Sequence, residues 1–442
     1  MIERTVYKEL KAWKNNPKHK PLILRGARQV GKTTLVNQFS AEFDNYLYLN
    51  LDRKRDLQLF QEDDITNLVD NIYIHCGKRK SGNSTLLFID EIQNSPEAVK
   101  QLRYFYEEMP NIHVIAAGSL LESLINNHIS FPVGRVEYMM LRPCTFVEFL
   151  KGIGEDFDAG VVQQLKGDAI HERLMNYFKN YIAVGGMPEA VTKYAERRDV
   201  LAVTPIYSSF INAYSDDVEK YSRNNTQTAV IRHIIAHGWN HAAEAITFNN
   251  FAGSNYRSRE VGEAFRTIEK ALLMELVYPV SEPLVPLLPN LKRKPKLLWL
   301  DTGLVNYYAG IRNEIFSTND IMTAWRGHIA EHIAGQELAA TSSDFGKSHH
   351  FWVRDKEGSS AEVDFVYQYE NMAIPVEVKS GTNAHLRSLN AYMDLAPHDI
   401  AIRIWSGRFS IDNAVTAKGK TFRLVNLPFY YVGQIDNVIR KL

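Results

Sequence analysis

The sequence predicts an α/β fold, with a parallel sheet and flanking helices near the N-terminus and smaller domains after it. Three observations support this prediction: a glycine-rich turn between a strand and a helix near residue 30, a buried-type strand that ends in two carboxylates near residue 90, and several short strands with further carboxylates after residue 350. Alternating strands and helices favour a parallel sheet, since parallel neighbours need crossover connections. At 442 residues the chain is too long for one hydrophobic core, and its length predicts about three domains.

The composition indicates the cellular compartment of the protein more clearly than it indicates its binding partners. Lysine plus arginine and aspartate plus glutamate each number 51, so any face that binds nucleic acid must be local. Cys76 and Cys144 are too few and too far apart for a disulfide framework or a cysteine zinc site, which favours a reducing compartment. The first residues carry charges where a signal peptide needs an apolar core, and no apolar run approaches the ~20 residues of a membrane span. We therefore expect a cytoplasmic protein that does not cross a membrane.

The clearest motif is a phosphate-binding pattern, G-x-x-x-x-G-K-[ST], between an apolar strand at residues 21–24 and a helix-like stretch at 34–39. Its backbone N–H groups and the positive helix end would meet where a triphosphate such as ATP can lie. Lys32 would reach the β- and γ-phosphates, and the Thr33 hydroxyl would ligate Mg²⁺. The alternative is a glycine-rich turn with a chance lysine. The predicted nucleotide-binding residues are Gly26, Ala27, Arg28, Gln29, Val30, Gly31, Lys32, Thr33 and Thr34.

A second motif is the buried-type strand at residues 86–91, which ends in Asp90 and Glu91. Ligands gather at the carboxyl ends of parallel strands, so both carboxylates would arrive beside the glycine-rich turn. Asp90 suits the Mg²⁺ shell, and Glu91 suits the polarisation of an attacking water. The alternative is an acidic turn without a catalytic role.

Two further positions are candidates for the same site. The strand at 113–119 ends in Ser119, which could contact the γ-phosphate or only cap the strand. Arg135, after Gly134, could act on the nucleotide of a neighbouring subunit in an ATP-dependent homo-oligomer, or be an ordinary surface arginine.

These motifs together resemble the AAA+ ATPases. More narrowly, the chain resembles a prokaryotic group in which an ATPase module precedes a DUF4143-type C-terminal region. Residues 141–150 are similar to that group's L-x-P-L-S-F-x-E-F-L segment, from which Cys144 and Thr145 depart mildly, and residues 185–189 match its G-G-x-P-E segment. The resemblance covers nearly the whole chain. It implies an ATP-hydrolysing module and leaves the task of the protein open.

The middle of the chain is divided into a helical lid and a winged-helix-like domain. The resemblance implies an AAA+ core at 1–150 and, because residues 151–225 are helix-like and polar, a lid subdomain there. A helix–turn–helix candidate begins at 247–253, and a basic segment at 291–296 fits a wing or a solvated turn. We expect residues 226–310 to contact DNA through 257–296, or to bind a protein partner. On the second helix, the apolar face is formed by Val261, Ala264, Phe265 and Ile268, and the arginines elsewhere are Arg257, Arg259 and Arg266.

Residues 311–442 are predicted to form an α/β nuclease-like domain. A helix at 325–338 precedes three strands, at 351–354, 361–367 and 374–380, which we expect to form a meander. Asp364 with Glu377 and Lys379 resembles the PD-(D/E)xK nuclease motif, with Glu331 as the helix carboxylate. Period-two alternation places Glu377 and Lys379 on one face of their strand.

The expected chemistry of this domain is metal-dependent cleavage. The carboxylates of Glu331, Asp364 and Glu377 would bind Mg²⁺, and Lys379 would orient or deprotonate a water. The alternative is a degenerate copy of the same fold, used for packing or for holding DNA.

Three functional hypotheses follow. The leading one is an ATP-hydrolysing AAA+ protein coupled to a C-terminal module that contacts, and in its active form cleaves, nucleic acid. The second is a signalling ATPase whose C-terminal domains bind a protein partner without nuclease activity. The third is a nucleotide-gated scaffold with little turnover.

Overall fold

The computed structural model describes residues 2–82, 84–118, 131–310, 328–344, 348–355, 361–379 and 386–442. The α-helices in these ranges are α1 (Tyr7–Lys14), α2 (Lys32–Phe39), α3 (Lys54–Leu59), α4 (Ile65–His75), α5 (Pro96–Glu108), α6 (Phe146–Gly152), α7 (Asp156–Gln163), α8 (His171–Val184), α9 (Pro188–Arg197), α10 (Thr204–Asp216), α11 (Val218–Tyr221), α12 (Asn225–His237), α13 (Ser258–Lys270), α14 (Thr302–Tyr308), α15 (His328–Ala339), α16 (Arg387–Met393) and α17 (Ile435–Ile439). The strands are β1 (Leu22–Arg25), β2 (Asn45–Asn50), β3 (Thr85–Asp90), β4 (Ile112–Gly118), β5 (Glu137–Met140), β6 (Met274–Val280), β7 (Lys296–Trp299), β8 (His350–Val353), β9 (Glu362–Val363), β10 (Phe365–Tyr369), β11 (Met372–Val378), β12 (Ile400–Trp405), β13 (Ser410–Val415) and β14 (Thr421–Pro428).

The N-terminal part is a parallel sheet with the strand order β2-β3-β4-β1-β5. Successive residues of the interior strand β1 enter different cores: Leu22 and Leu24 pack on one face of the sheet and Ile23 on the other. A strand buried on both faces needs a continuous apolar run, which the sequence supplies. The predicted α/β class is therefore confirmed, and the carboxyl ends of β1 and β3 open at the same edge of the sheet.

The segment after the sheet is helical, as expected for residues 151–225. Helices α6 to α11 follow one another, and α6, α8 and α9 bury their apolar faces in the same core as β1. A capping box starts α6: the Thr145 hydroxyl accepts from the Glu148 N–H, and the Glu148 carboxylate accepts from the Thr145 N–H. This box satisfies N–H groups that the first helical turn leaves unpaired.

The middle of the chain combines helices with an antiparallel pair of strands. Helix α12 is followed by a short bridge between Ala245 and Lys296, then by α13 and the antiparallel strands β6 and β7. The apolar face of α13 is buried as the sequence predicts, because Val261, Phe265 and Ile268 lie in the main core. Strand β6 also pairs in parallel with β8, so this sheet continues into the C-terminal part.

The C-terminal part contains the antiparallel pairs of the expected meander, β8 with β9 and β10 with β11, but the two pairs lie in different sheets. Strands β10 and β11 belong to a mixed sheet with the order β10-β11-β12-β14-β13, whereas β8 and β9 belong to the sheet of β6 and β7. The reason is that β8 finds a partner in β6, and the chain changes sheets at Asp364, between β9 and β10. The helix expected at 325–338 is described from His328, and its first residues lie outside the described ranges. Within those ranges, no helix has both the length and the apolar composition to cross a membrane.

Candidate functional site

The glycine-rich turn lies between β1 and α2, as its sequence predicts. Gly31 has φ +93° and Gln29 has φ +68°, so the turn uses the left-handed region twice before the helix begins at Lys32. A Cβ atom on Gly26 would lie 2.4 Å from the Leu141 carbonyl oxygen, so only glycine fits against this segment. The loop therefore wraps tightly toward the N-terminus of α2, where backbone N–H groups can bind an anion.

Lys32 is buried beside the loop and bonds only to neutral oxygens. Its Nζ donates to the carbonyl oxygens of Gly26 and Ala27, each at 2.9 Å. Burial lowers the pKa of Lys32 to about 8, against the opposing influence of Glu91 and Asp90. Among the described residues it makes no ion pair, so its charge is available to an anionic ligand.

Asp90 and Thr33 are brought together at the end of β3. The Thr33 hydroxyl donates to Asp90 Oδ2 at 2.8 Å, although the two residues come from different strand–helix units. Burial raises the pKa of Asp90, and the hydrogen bonds from Thr33 and from the Glu91 N–H partly oppose this shift. Two adjacent oxygen donors of this kind fit the first shell of Mg²⁺.

Glu91 follows in the left-handed conformation, with φ +56°, and is half-buried. Its carboxylate accepts a hydrogen bond from Gln93 Nε2 at 2.5 Å. The left-handed backbone at Glu91 is a local strain, and the hydrogen bond from Gln93 fixes one of its carboxylate oxygens. The sequence motif contains Gln93, but its spacing alone assigned no role to that residue.

Arg4 is a part of the site that sequence reasoning missed. Its Nη1 donates to the Val30 carbonyl at 3.0 Å, and its Nε pairs with Glu148 Oε2 at 3.0 Å. Both charged groups are almost fully buried. Arg4 thus ties the glycine-rich turn to the start of α6, and no local motif in the first residues signals this role.

The other residues predicted for the ATP site differ in their partners and in their exposure. Arg28 forms an ion pair with Asp217, at the junction of α10 and α11, so it connects the loop with these helices. Arg135 is exposed, and its Nε lies 3.1 Å from Glu107 Oε1. Ser119 lies outside the described residues, so its predicted contact with the γ-phosphate stays a prediction.

The G-G-x-P-E segment connects the ATP site with the C-terminal half. The Gly186 carbonyl accepts from the Cys144 N–H at 2.7 Å, and the Gly186 N–H donates to Asp301 Oδ2 at 2.5 Å. A Cβ atom on Gly31 would lie 3.5 Å from Pro188 Cγ, so the start of α9 borders the glycine-rich turn. The segment therefore borders the glycine-rich turn at Pro188 and contacts Asp301 through Gly186.

A second cluster of lysines and carboxylates lies in the C-terminal part. Lys379 Nζ lies 2.6 Å from Glu377 Oε1, and Asp364 Oδ2 accepts from the Val378 N–H at 2.8 Å. Burial raises the pKa of both Glu331 and Glu377, and the Asp364 carboxylate adds to the rise while the nearby lysines oppose it. The residues of the nuclease-like motif are thus near neighbours, as predicted.

The position of Lys296 corrects an expectation. The sequence predicts that it lies in a basic wing or a solvated turn, but it begins β7 and is 4% exposed. The strand pairing of β7 carries its side chain inward, where Nζ pairs with Glu331 and Glu362. In the part of the chain that the structure describes, no group of three or more histidine, cysteine, aspartate or glutamate side chains is arranged to hold a metal. The metal site at Glu331, Asp364 and Glu377 stays a prediction.

Three family models match the chain. An AAA domain model matches residues 18–150, a domain of unknown function (DUF8612) matches 175–315, and a second domain of unknown function (DUF4143) matches 326–428. The first model contains the glycine-rich turn and Asp90-Glu91. The last contains Glu331 and the nuclease-like motif.

Two solved structures are similar to parts of the chain. The Walker-type ATPase PABY2304 of Pyrococcus abyssi has 13% identity and a TM-score of 0.44, with 70% of this chain and 96% of that chain covered. PCH-2 of C. elegans has 11% identity and a TM-score of 0.26, with 45% and 65% covered. No curated protein matches the sequence. The N-terminal part of the chain, with the glycine-rich turn and β3, therefore carries an AAA domain, and the C-terminal part matches DUF4143.

Proposed function

We propose that the chain binds ATP with Mg²⁺ at the glycine-rich turn and hydrolyses it. The observation that carries the proposal is the contact between the Thr33 hydroxyl and Asp90 Oδ2, which are 2.8 Å apart. Beside it lies the Lys32 ammonium, which donates to two backbone carbonyls and has no carboxylate ion-pair partner among the described residues. A magnesium triphosphate needs oxygen ligands and a cation at neighbouring points, and these three side chains supply them.

Each residue has a distinct role in this proposal. Lys32 would exchange its carbonyl partners for β- and γ-phosphate oxygens. Thr33 and Asp90 would hold Mg²⁺, which supplies positive charge for the phosphate oxygens. Glu91, oriented by Gln93, would position the attacking water and accept its proton. The N–H groups of the loop would bind the remaining phosphate oxygens.

The direct test measures ATP binding by calorimetry and phosphate release by a coupled assay, each in Mg²⁺ and in EDTA. We expect both binding and turnover in Mg²⁺, and turnover to stop in EDTA. Absence of ATP binding in Mg²⁺ would reject the proposal, and binding without phosphate release would leave the nucleotide-gated scaffold.

We further propose that the middle domain contacts duplex nucleic acid through the exposed side of α13. Arg257, Arg259 and Arg266 are all exposed there, opposite the buried apolar face, and residues 292–294 add exposed positive charge nearby. Such contacts neutralise phosphates and make binding salt-dependent.

Charge reversal tests this surface. Changing Arg257, Arg259 and Lys294 to glutamate is expected to abolish salt-sensitive duplex binding and to leave basal ATP turnover unchanged. Reversal of three exposed lysines on the opposite end of the chain, Lys8, Lys54 and Lys100, is the matched control. If the duplex affinity does not change, and a protein partner rather than DNA stimulates turnover, the signalling hypothesis is the better one.

We propose a homo-oligomer in which Arg135 reaches the nucleotide of a neighbour. Its exposure supports this, and its single described ion pair with Glu107 is on the surface, where such pairs contribute little. Mixing Arg135→Ala with Lys32→Ala protein should restore part of the turnover that each lacks. Full turnover by Arg135→Ala alone would remove the arginine from the mechanism.

Cleavage of nucleic acid by Asp364, Glu377 and Lys379 is a conditional proposal. The nearness of the three residues supports it, whereas the chemistry needs a divalent cation among carboxylates that are now paired with lysines. A cleavage assay in Mg²⁺ and in Mn²⁺, with single- and double-stranded DNA and RNA, tests it. Loss of cutting in Lys379→Ala is the required control, since it separates this site from a contaminating nuclease.

A further inference from the structure

The Lys296 ammonium lies among three carboxylates of the C-terminal domain. Its Nζ is 2.6 Å from Glu331 Oε1, 2.7 Å from Glu362 Oε1 and 3.9 Å from Asp364 Oδ1. Lys296 comes from β7 of the middle domain, Glu331 from α15, and the other two from the segment where the chain changes sheets. One ammonium group thus occupies the place that a cation bound by these carboxylates would take.

The surroundings make this ammonium a strong competitor for its position. Burial lowers the pKa of Lys296, but the three carboxylates raise it by more, so the net shift is upward and the group is charged at neutral pH. Its Nζ also lies 4.8 Å from the centre of the Phe351 ring, at a distance typical of a cation–π contact. An ammonium so enclosed is expensive to separate from its partners.

The neighbouring Glu377 has spare capacity for a cation. Oε1 of this residue pairs with Lys379, but Oε2 is buried and has no hydrogen-bond partner in the described structure. A buried carboxylate oxygen without a partner is costly. The cluster therefore has one strong acceptor that neither lysine satisfies.

We propose that Lys296 is an internal counter-ion that closes this cluster to divalent cations. We call Lys296 with Glu331 and Glu362 the Lys296 clasp. An ammonium and a divalent cation compete for the same oxygens, so only one of them can occupy the cluster. This exclusion of divalent cations by Lys296 does not depend on the proposal of nucleic-acid cleavage.

The test removes the ammonium from the full-length chain and measures Mn²⁺ binding without nucleotide. In Lys296→Met, Mn²⁺ affinity by calorimetry should rise about tenfold or more relative to the wild type, and Mn²⁺ should raise the melting temperature. Lys292→Met, an exposed lysine before the same strand, is the matched control and should behave like the wild type. Lys296→Arg keeps the positive charge and should also show no gain.

Equal Mn²⁺ affinity in Lys296→Met and in the wild type would overturn the proposal. If Lys296→Met does not fold, the double variant Lys296→Met/Glu362→Gln removes one charge of each sign and serves the same purpose. It should still bind Mn²⁺ more tightly than the wild type, through Glu331, Asp364 and Glu377, and failure to do so would equally overturn the proposal. A variant that binds Mn²⁺ but cuts no nucleic acid would support the Lys296 clasp and reject the cleavage proposal.

Discussion

The ATP site and the C-terminal cluster are built from the same residue types, but their lysines are neutralised differently. Within the described part of the chain, Lys32 donates only to two backbone carbonyls, whereas Lys296 pairs with the carboxylates of Glu331 and Glu362. Accordingly, burial lowers the pKa of Lys32 to about 8, whereas the net pKa shift of Lys296 is upward. A buried lysine among neutral oxygens can receive a phosphate, while a buried lysine among carboxylates holds structural elements together.

The carboxylates of the two sites, Asp90 and Glu331, differ in their partners in the same way as the two lysines. Asp90 accepts hydrogen bonds from neutral donors, the Thr33 hydroxyl and the Glu91 N–H, and its negative charge is the one that we propose binds Mg²⁺. Glu331 already has a cation within 2.6 Å. The comparison teaches that residue type and proximity do not define a metal site, because the partners already present decide which ion can enter.

The largest expected effect concerns the chemistry of the ATP site. Glu91→Gln keeps the shape of the side chain but cannot accept a proton, so ATP binding should persist while turnover falls by about 10²–10⁴-fold. Calorimetry and phosphate release measure the two quantities separately. Glu97→Gln, a carboxylate in the first turn of α5, is the control and should leave both unchanged. Turnover at the wild-type rate in Glu91→Gln would mean that another group is the base.

The next prediction tests the difference between the two lysines by measuring the stability of variants. Lys296→Met leaves buried carboxylates without their cation, so the free energy of unfolding should fall by about 3–5 kcal/mol. Lys32→Met removes a buried charge that no described carboxylate pairs with, so it should change stability by about 1 kcal/mol or less, in either direction. Urea denaturation in EDTA without nucleotide measures both. Equal losses in the two variants would show that the two lysines do not differ in the way proposed.

A third prediction concerns the contribution of Lys32 to ATP affinity. Lys32→Ala removes the cation that would face the β- and γ-phosphates, so ATP affinity should fall about 100-fold or more, as for loss of a charge-assisted contact. Lys100→Ala, an exposed lysine on α5, should bind like the wild type. Unchanged affinity in Lys32→Ala would place the triphosphate elsewhere.

The sequence was more informative about the predicted ATP site than about the C-terminal cluster. The reason is that most of the ATP-site residues lie in short continuous segments, whereas the cluster brings together residues from distant segments. The glycine-rich turn is one continuous segment, and the position of Asp90 follows from the rule that parallel strands end at one edge. Nothing in the basic segment distinguishes Lys296 from Lys292 or Lys294, since only the start of β7 turns one of them inward. Arg4 was missed for a similar reason: its partner Glu148 is 144 residues away.

The apolar patterns of the sequence located individual strands and helix faces correctly. Apolar runs located β1, β3 and β4, and the arginines of α13 lie on the side opposite its core face, as predicted. The expected strands pair antiparallel in succession, but the sequence did not show that the middle one is divided between two sheets at Asp364. Strand patterns do not specify all partners, and β8 also pairs with β6, which is far away in the chain. Local sequence thus predicted elements, and tertiary pairing decided which sheet each one joined.

The smallest expected effect is a pH dependence that belongs to only one of the two lysines. With a pKa of about 8, Lys32 loses its proton between pH 7 and 9, and only its charged form attracts the triphosphate, so ATP affinity should fall about tenfold across this range. The same depressed pKa means that the folded state binds fewer protons than the unfolded state between pH 8 and the ordinary lysine value of 10.5, so this group makes stability rise with pH in that window. Lys32→Arg stays charged throughout, and its ATP affinity, whatever its absolute value, should not show this fall. A wild-type affinity that is flat from pH 7 to 9 would mean that Lys32 is not held in the neutral surroundings that distinguish it from Lys296.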